Sequence, residues 1–292
     1  MLTGDPNLIE LLREEIRRAG PIPFAVFMDQ ALYHPAHGYY SSGRAALGRG
    51  GDYFTNVSVG PLFGRLLAAQ FSEMWEVLGR PNEFTLVEQG AHEGEFARDV
   101  LEAAQRHHAE FSAALRYTIV EPFDVLRHRQ SAALAAFRDR VTWRSSLNEL
   151  APFSGVHFSN ELLDSMPVHV VRWSGTEWRE RHVDFQEDSF RFVDLPTSNR
   201  ELIHHLARLP GTLPAGYETE VHLASFLWIE ELAPKITRGF VLAVDYGFAR
   251  ENFYAPHRTA GTLQVYAKHA VLRSPFEQIG HADITAHVEW ST

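Results

Sequence analysis

Apolar positions recur at helical spacing in the first quarter of the chain and in alternating strand and helix patterns from residue 84 onward. Asn7 to Ala19 carries Leu8, Leu12 and Ile16 on one face, with Pro6 before it and Gly20 after it, which predicts an amphipathic helix. Phe24, Phe27, Met28 and Leu32 predict a second, shorter helix starting at Pro23. Pro61 opens a third, with a wide stripe running from Leu62 and Phe63 to Trp75 and Leu78. Phe84 to Glu88 then reads as a strand and Glu95 to His107 as a helix. Arg116 to Glu121 and Phe123 to Phe137 repeat the pair, and Val141 to Trp143 and Val156 to Asn160 add short strands. This alternation predicts a parallel sheet with helical crossovers.

The pattern breaks at Val168. Val168 to Trp173, Trp178 to Asp184 and Ser189 to Val193 alternate apolar and polar residues between turns such as Ser174-Gly175, which predicts an inserted antiparallel meander. Helices are expected over Asn199 to Arg208 and Glu220 to Ile236. Phe240 to Tyr246 is a buried strand that returns to the parallel sheet, and the tail from Gly261 onward is mixed. Pro- and Gly-rich stretches are short, so one domain with an insertion is preferred to two independent ones. The expected division is an N-terminal helical extension with a lid loop over 1–83 and an α/β domain over 84–292, with the insertion at about 165–238.

Composition narrows the chemistry. The chain has 292 residues, 45% of them hydrophobic and 22% charged, enough for a sizeable core. It has no Cys, which excludes disulfides, thiolate nucleophiles and Cys-ligated metals. Its sixteen His residues show no metal spacing and no H-E-x-x-H is present, so no metal is expected. A net charge of −10 argues against a nucleic-acid partner and is compatible with a cationic substrate, although acidity that only maintains solubility accounts for much of it. No apolar run reaches the ~20 residues of a membrane helix. Met1 to Gly20 resembles neither a signal nor a transit peptide, so the cytoplasm is the expected compartment.

The chemistry-bearing stretch is Glu88-Gln89-Gly90-Ala91-His92-Glu93-Gly94, between a strand and a helix. Gly90 permits a tight turn and close approach of a ligand, Gly94 lets the helix start abruptly, and its free N–H groups face the crevice. The plainer alternative is a tight turn with no ligand. Glu121, at the end of the next strand, favours a cofactor, because a carboxylate there can accept from both hydroxyls of a ribose. The loop lacks the G-x-G-x-x-G spacing of a dinucleotide site and the chain has no P-loop, so S-adenosylmethionine (SAM) fits better than the alternative, NAD. Asn160, Glu161 and Asp164 follow another strand end, where paired carboxylates can grip a guanidinium. Asn160 as a helix cap, with the two acids at the positive helix end, is compatible with that role. For Gly48 to Thr55, an ordinary glycine loop is the plainer interpretation of the spacing alone.

Several separated motifs, in order, resemble the MidA-like SAM-dependent methyltransferases, a family that includes a mitochondrial complex I assembly factor that methylates arginine. They include Ala31 to Pro35 with Gly38-Tyr39-Tyr40, Gly51-Asp52-Tyr53-Phe54-Thr55, Leu86-Val87-Glu88 with Gly90, Tyr117 to Glu121, Ser159 to Val168, Asp245-Tyr246-Gly247, Gly261-Thr262-Leu263 and Asp283 to Val288. The resemblance spans nearly the whole chain. It implies a class I, Rossmann-like methyltransferase sheet and SAM as cofactor at Gly90, Gly94 and Glu121, with the loop of Gly51, Asp52 and Thr55 closing over it. Glu88, His92 and Asn160 are further candidates for the cofactor wall. The expected activity is methylation of a protein arginine, with Glu161 and Asp164 as the catalytic pair. Rivals are a non-catalytic assembly factor or scaffold and a small-molecule methyltransferase. Three departures stand out: His92 replaces the family's middle loop glycine, Asn56-Val57-Ser58 replaces a Pro-Glu pair, and related chains continue past Val288. The last predicts an exposed sheet edge, covered by a homodimer contact or another partner.

Overall fold

The computed structural model describes residues 2–44, 60–210 and 213–291. α1 (Pro6–Ala19) begins at Asp5, whose carboxylate accepts from the Asn7 and Leu8 N–H groups, and buries Leu8, Ile9, Leu12 and Ile16. β1 (Ile22–Pro23) leads into α2 (Phe24–Tyr33), and α3 (Leu62–Val77) precedes the α/β run. That run comprises β2 (Phe84–Gln89), α4 (Glu95–His107), α5 (Ala109–Ala114), β3 (Leu115–Val120), α6 (Asp124–Ala133), β4 (Val141–Arg144) and β5 (Phe153–Asn160). β6 (His169–Trp173), β7 (Trp178–Gln186), β8 (Ser189–Leu195), α7 (Arg200–Leu206) and β9 (Glu218–Val221) form the insertion. The chain then passes through α8 (Leu223–Leu232) into β10 (Ile236–Val244). It ends with β11 (Gly247–Phe248), α9 (Arg250–Phe253), β12 (Gln264–Ala267), β13 (Ala270–Val271), β14 (Asp283–Thr285) and β15 (Val288–Glu289).

The main sheet has the order β10-β5-β2-β3-β4, and every pairing in it is parallel. Side-chain alternation along its strands feeds a different core on each face. Leu86, Tyr117, Ile119, Val156 and Phe158 meet α3 and α4, where the Phe96 and Phe158 rings stack at 4.5 Å. Val87, Val120 and Phe153 meet Trp228 and Leu232 of α8. Gly155 holds φ +151°, and a Cβ there would run into the Thr85 carbonyl oxygen of β2, so only glycine lets these two strands pair at that point.

The antiparallel meander is the sheet β1-β7-β6-β9, with β8 paired to β7. It forms one core with the N-terminal helices: Phe24, Phe27 and Met28 of α2 pack with Val168, Val170, Val183 and Phe190, and with Val265 and Ile284 from near the C-terminus. The N-terminal extension therefore sits on the insertion, and this places Tyr33 and Tyr40 over the carboxyl edge of the parallel sheet.

One predicted element is corrected. The helix expected over Glu220 to Ile236 begins only at Leu223, because residues 218–221 form β9 against β6. Thr219, Glu220 and Val221 are each only 1% exposed. A surface helix cannot bury three consecutive side chains, whereas a strand covered on both faces can. Pro234 lies in the short 3-10 turn that follows α8.

Candidate functional site

The chain leaves β2 toward β3 and β4 on one side, then returns to β5 on the other. Crossovers diverge at that point and leave a crevice above the carboxyl ends of β2 and β5. The β2–α4 turn lining it needs three left-handed residues: Gly90 (φ +79°), His92 (φ +44°) and Gly94 (φ +83°). At Gly94 a Cβ would meet Gln130 Cα and Leu134 Cδ1 at 3.4 Å, close to ordinary contact, so it is the left-handed backbone of the turn that favours glycine there. His92 pays the left-handed cost with a side chain in place. His92→Gly is expected to raise stability by about 0.5–1 kcal/mol, measured by urea denaturation. A loss of stability would show that contacts of the imidazole outweigh the backbone strain.

A cavity of about 390 Å³ fills the crevice, walled by Glu88, Gln89, Gly90, His92, Phe96, Glu121, Phe123, Asn160, Glu161 and Leu162, with Tyr33 and Tyr40 from the N-terminal extension. Glu88 accepts a 2.7 Å hydrogen bond from Tyr117 Oη, and burial pushes its carboxyl up to about 7 against that bond. Glu121 accepts from the Phe123 N–H at 3.0 Å and from Gln130 Nε2 at 2.9 Å. Burial outweighs both donors and pushes its carboxyl to about 7. Asn160 Oδ1 is buried in the wall with no hydrogen-bond partner among the described residues. A buried orphan acceptor is costly, so it marks a place where a ligand donor would be welcome.

A second cavity, of about 300 Å³, shares Tyr40 and Glu161 with the first and is otherwise walled by Asp164, Tyr246, Thr262, Gln264, Tyr266, Asp283, Thr285 and His287. Its carboxylates come from distant segments. Glu161 follows β5 in a left-handed conformation (φ +51°), held by its own N–H donating to the Val244 carbonyl at 2.8 Å. A non-glycine residue kept in that region is a strained position of the kind that concentrates at functional sites. Burial first and the Asp245 charge second push its carboxyl up to about 7, while Tyr246 Oη lies at 3.4 Å. Asp164 is 6% exposed, and burial together with Asp245, Asp283 and Glu161 pushes it further above the usual carboxylate range. Asp245 is a brace: it accepts from the N–H groups of Leu163 at 2.8 Å and Asp164 at 3.2 Å, fixing the loop that carries Glu161 and Asp164. Tyr40 donates to Asp283 at 2.7 Å, and Tyr33, stacked on Tyr40 at 5.5 Å, donates to Ser165 Oγ at 2.9 Å. The result is a cluster of buried and half-buried carboxylates, mutually repelling and set among phenols.

Most residues expected from the sequence come together here. Glu88, Gly90, His92, Glu121, Asn160 and Glu161 line the first cavity, and Asp164 lines the second beside Glu161. Gly94 shapes the turn without lining the first cavity. Gly51, Asp52 and Thr55, and with them the expected lid, lie outside the described residues. Sequence reasoning did not select Tyr33, Tyr40, Gln130, Asp245, Tyr246, Tyr266 or Asp283 as site residues. Most of these stand in or beside the quoted motifs, such as Gly38-Tyr39-Tyr40 and Asp283 to Val288, so the signal was available. What was missing was that three remote segments meet. Among the described residues no group of three or more His, Asp or Glu is arranged to hold a metal ion.

Residues 66–292 match the family model of an S-adenosyl-L-methionine-dependent methyltransferase. Among curated proteins, the chain is 28% identical over 314 residues to the mitochondrial protein arginine methyltransferase NDUFAF7 homolog of Drosophila melanogaster, covering 99% of this chain and 69% of that one. It is 27% identical over 323 residues to the mitochondrial protein arginine methyltransferase NDUFAF7 of Homo sapiens, covering 97% and 67%. Among solved structures, it superposes with a TM-score of 0.87 on a COG1565 superfamily member from Burkholderia thailandensis bound to S-adenosyl-homocysteine. That protein is 34% identical, with 97% of this chain and 73% of that one covered.

Proposed function

Given that this chain belongs to the S-adenosyl-L-methionine-dependent methyltransferases, we propose that it methylates a guanidinium nitrogen of an arginine in a protein substrate. The observation that carries this reading is the second cavity, where Glu161, which also lines the first, meets Asp164 and Asp283. The carboxyls of Glu161 and Asp164 are raised first by burial and then by the neighbouring acids, an environment in which a cationic substrate would favour the ionised forms. The names of the curated relatives point the same way.

The residues of the first cavity fit the cofactor. Glu121 would take the ribose hydroxyls, Gly90 leaves room for close approach, and the orphan Asn160 Oδ1 would accept from the amino group at the methionine end. When bound, SAM supplies a methyl group activated on a sulfonium; the acceptor nitrogen takes it, S-adenosyl-homocysteine leaves, and one N–H proton is given up. The chain's own contribution is proximity and charge. Glu161 stands in both cavities, so it can hold the guanidinium by one edge and turn a nitrogen toward the methyl group. Asp164 and Asp283 would bind the remaining N–H donors, and the Tyr33 and Tyr40 rings would shield the passage from water.

Incubation with methyl-labelled SAM and arginine-containing peptides, followed by acid hydrolysis, tests the reading. Label recovered as methylarginine is the expected result. Label recovered on lysine or on a carboxylate of the peptides, with none on arginine, would overturn it.

A further inference from the structure

Gln130 lies on α6 and lines neither cavity, yet it is 0% exposed and its amide joins three elements of the cofactor crevice. Nε2 donates to the His92 carbonyl at 2.8 Å and to Glu121 Oε2 at 2.9 Å; Oε1 accepts from Trp143 Nε1 at 3.0 Å. An indole N–H can only donate, so Trp143 on β4 fixes which way the amide faces, with oxygen toward the indole and nitrogen toward the crevice. Both Nε2 protons are then committed. One closes the left-handed turn at His92, and the other holds one oxygen of Glu121 while the Phe123 N–H holds the other at 3.0 Å. A carboxylate offers about four acceptor directions. With one direction on each oxygen taken by the protein, each oxygen keeps about one for a ligand, which matches the two hydroxyls of a vicinal diol.

We propose that Gln130 is a positioning residue of the cofactor site: by fixing the orientation of Glu121 and the β2–α4 turn together, it sets the preference for a ligand whose sugar carries both hydroxyls. This rests on the assignment of the cofactor to the first cavity. Gln130 touches the ligand through Glu121 and the turn, not directly. The sequence offers no motif for it, because its partners lie 38, 9 and 13 residues away.

The test compares dissociation constants, by calorimetry, for S-adenosyl-homocysteine and its 2′-deoxy analogue. Wild type is expected to prefer the ribose form by about 10- to 100-fold, the cost of leaving a buried acceptor unpaired. Gln130→Met keeps the volume and removes both donors; it is expected to weaken S-adenosyl-homocysteine binding about tenfold and to shrink the preference to within a few-fold. Trp143→Phe leaves Gln130 in place without its orienting donor and is expected to fall between the two. It also carries the test if Gln130→Met does not fold. Thermal midpoints recorded in parallel separate packing from positioning. A lowered midpoint with an unchanged ribose preference in both variants would make Gln130 a core residue only and overturn the proposal. Glu121→Ala is the control on the premise: if it binds both ligands as wild type does, the cofactor is not held at Glu121 and the proposal fails with it. If it loses the preference while the Gln130 and Trp143 variants keep it, Gln130 alone is refuted.

Discussion

Glu161→Gln is expected to lower turnover by about 10³-fold while leaving the affinity for S-adenosyl-homocysteine nearly unchanged. The substitution keeps the shape of the side chain and alters one property, the negative charge at the boundary between the two cavities. Guanidinium stays protonated at any working pH, so its nitrogens become nucleophilic only when a carboxylate draws the positive charge to one edge. Asp164 and Asp283 can still attract the substrate in the variant, but neither lines the first cavity. KM should therefore rise less than kcat falls. Single-turnover methylation of an arginine peptide, with calorimetry for the cofactor, separates the two quantities. Turnover equal to wild type would remove Glu161 from the mechanism. Equal losses in turnover and cofactor affinity would instead mean that the left-handed loop at φ +51° had shifted.

The second large effect is a steep dependence on pH, with opposite signs for activity and stability. Glu161 must be ionised to hold a cation, and burial and Asp245 raise its carboxyl to about 7 in the free protein. kcat/KM should fall about tenfold per pH unit below ~7 and rise more gently above it, as Asp164, held higher than Glu161, ionises in turn. The limb for kcat should lie at lower pH, because a bound guanidinium favours the ionised form. Stability runs the other way. Glu88, Glu121 and Glu161 have folded-state values raised above the unfolded one, so each contributes stability that is complete below about 4.5 and is lost as pH rises through about 7. For Glu88, 3% exposed, the shift corresponds to about 3 kcal/mol. The ligand-free protein should therefore melt at a higher temperature at pH 6 than at pH 8, while its activity is lower at pH 6. S-adenosyl-homocysteine should partly offset the loss by binding the folded state alone. An activity limb that persists unchanged in Glu161→Gln would assign it to another group.

The acidic site shows why residues can be legible while a site is not. Glu161 and Asp164 were selected from sequence because they follow a strand end, where α/β folds place ligands. Asp283 lies 122 residues beyond Glu161 in the chain and follows no strand of the parallel sheet. It reaches the cavity because Tyr40, from the N-terminal extension, binds its carboxylate, and because residues 265–286 join the core built on the meander. Tyr33 and Tyr40 arrive the same way, carried by α2 as it packs on β6 and β7. Neither a hydrophobic period nor a strand-end rule reports packing of that range. The error over Glu220 has the same origin: its carboxylate accepts from the Thr262 and Leu263 N–H groups, more than forty residues ahead, and that contact belongs to a strand rather than to the predicted helix.

Sequence alone determined the strand–helix alternation over residues 84–160, the parallel sheet, the turn after β2 and the acids at two strand ends, because these follow from local periodicity and from backbone conformations that only certain residues accept. It also marked His92 as the odd residue of the turn, and φ +44° supplies the reason. Only the tertiary structure decided that the turn is held by Gln130, that Asp245 braces the loop of Glu161, and that three separate segments enclose one acidic cavity. Those are long-range hydrogen bonds and packing contacts. Their residues carry no local signature, and their positions are set by how the N-terminal helices, the meander and the C-terminal segment share a core.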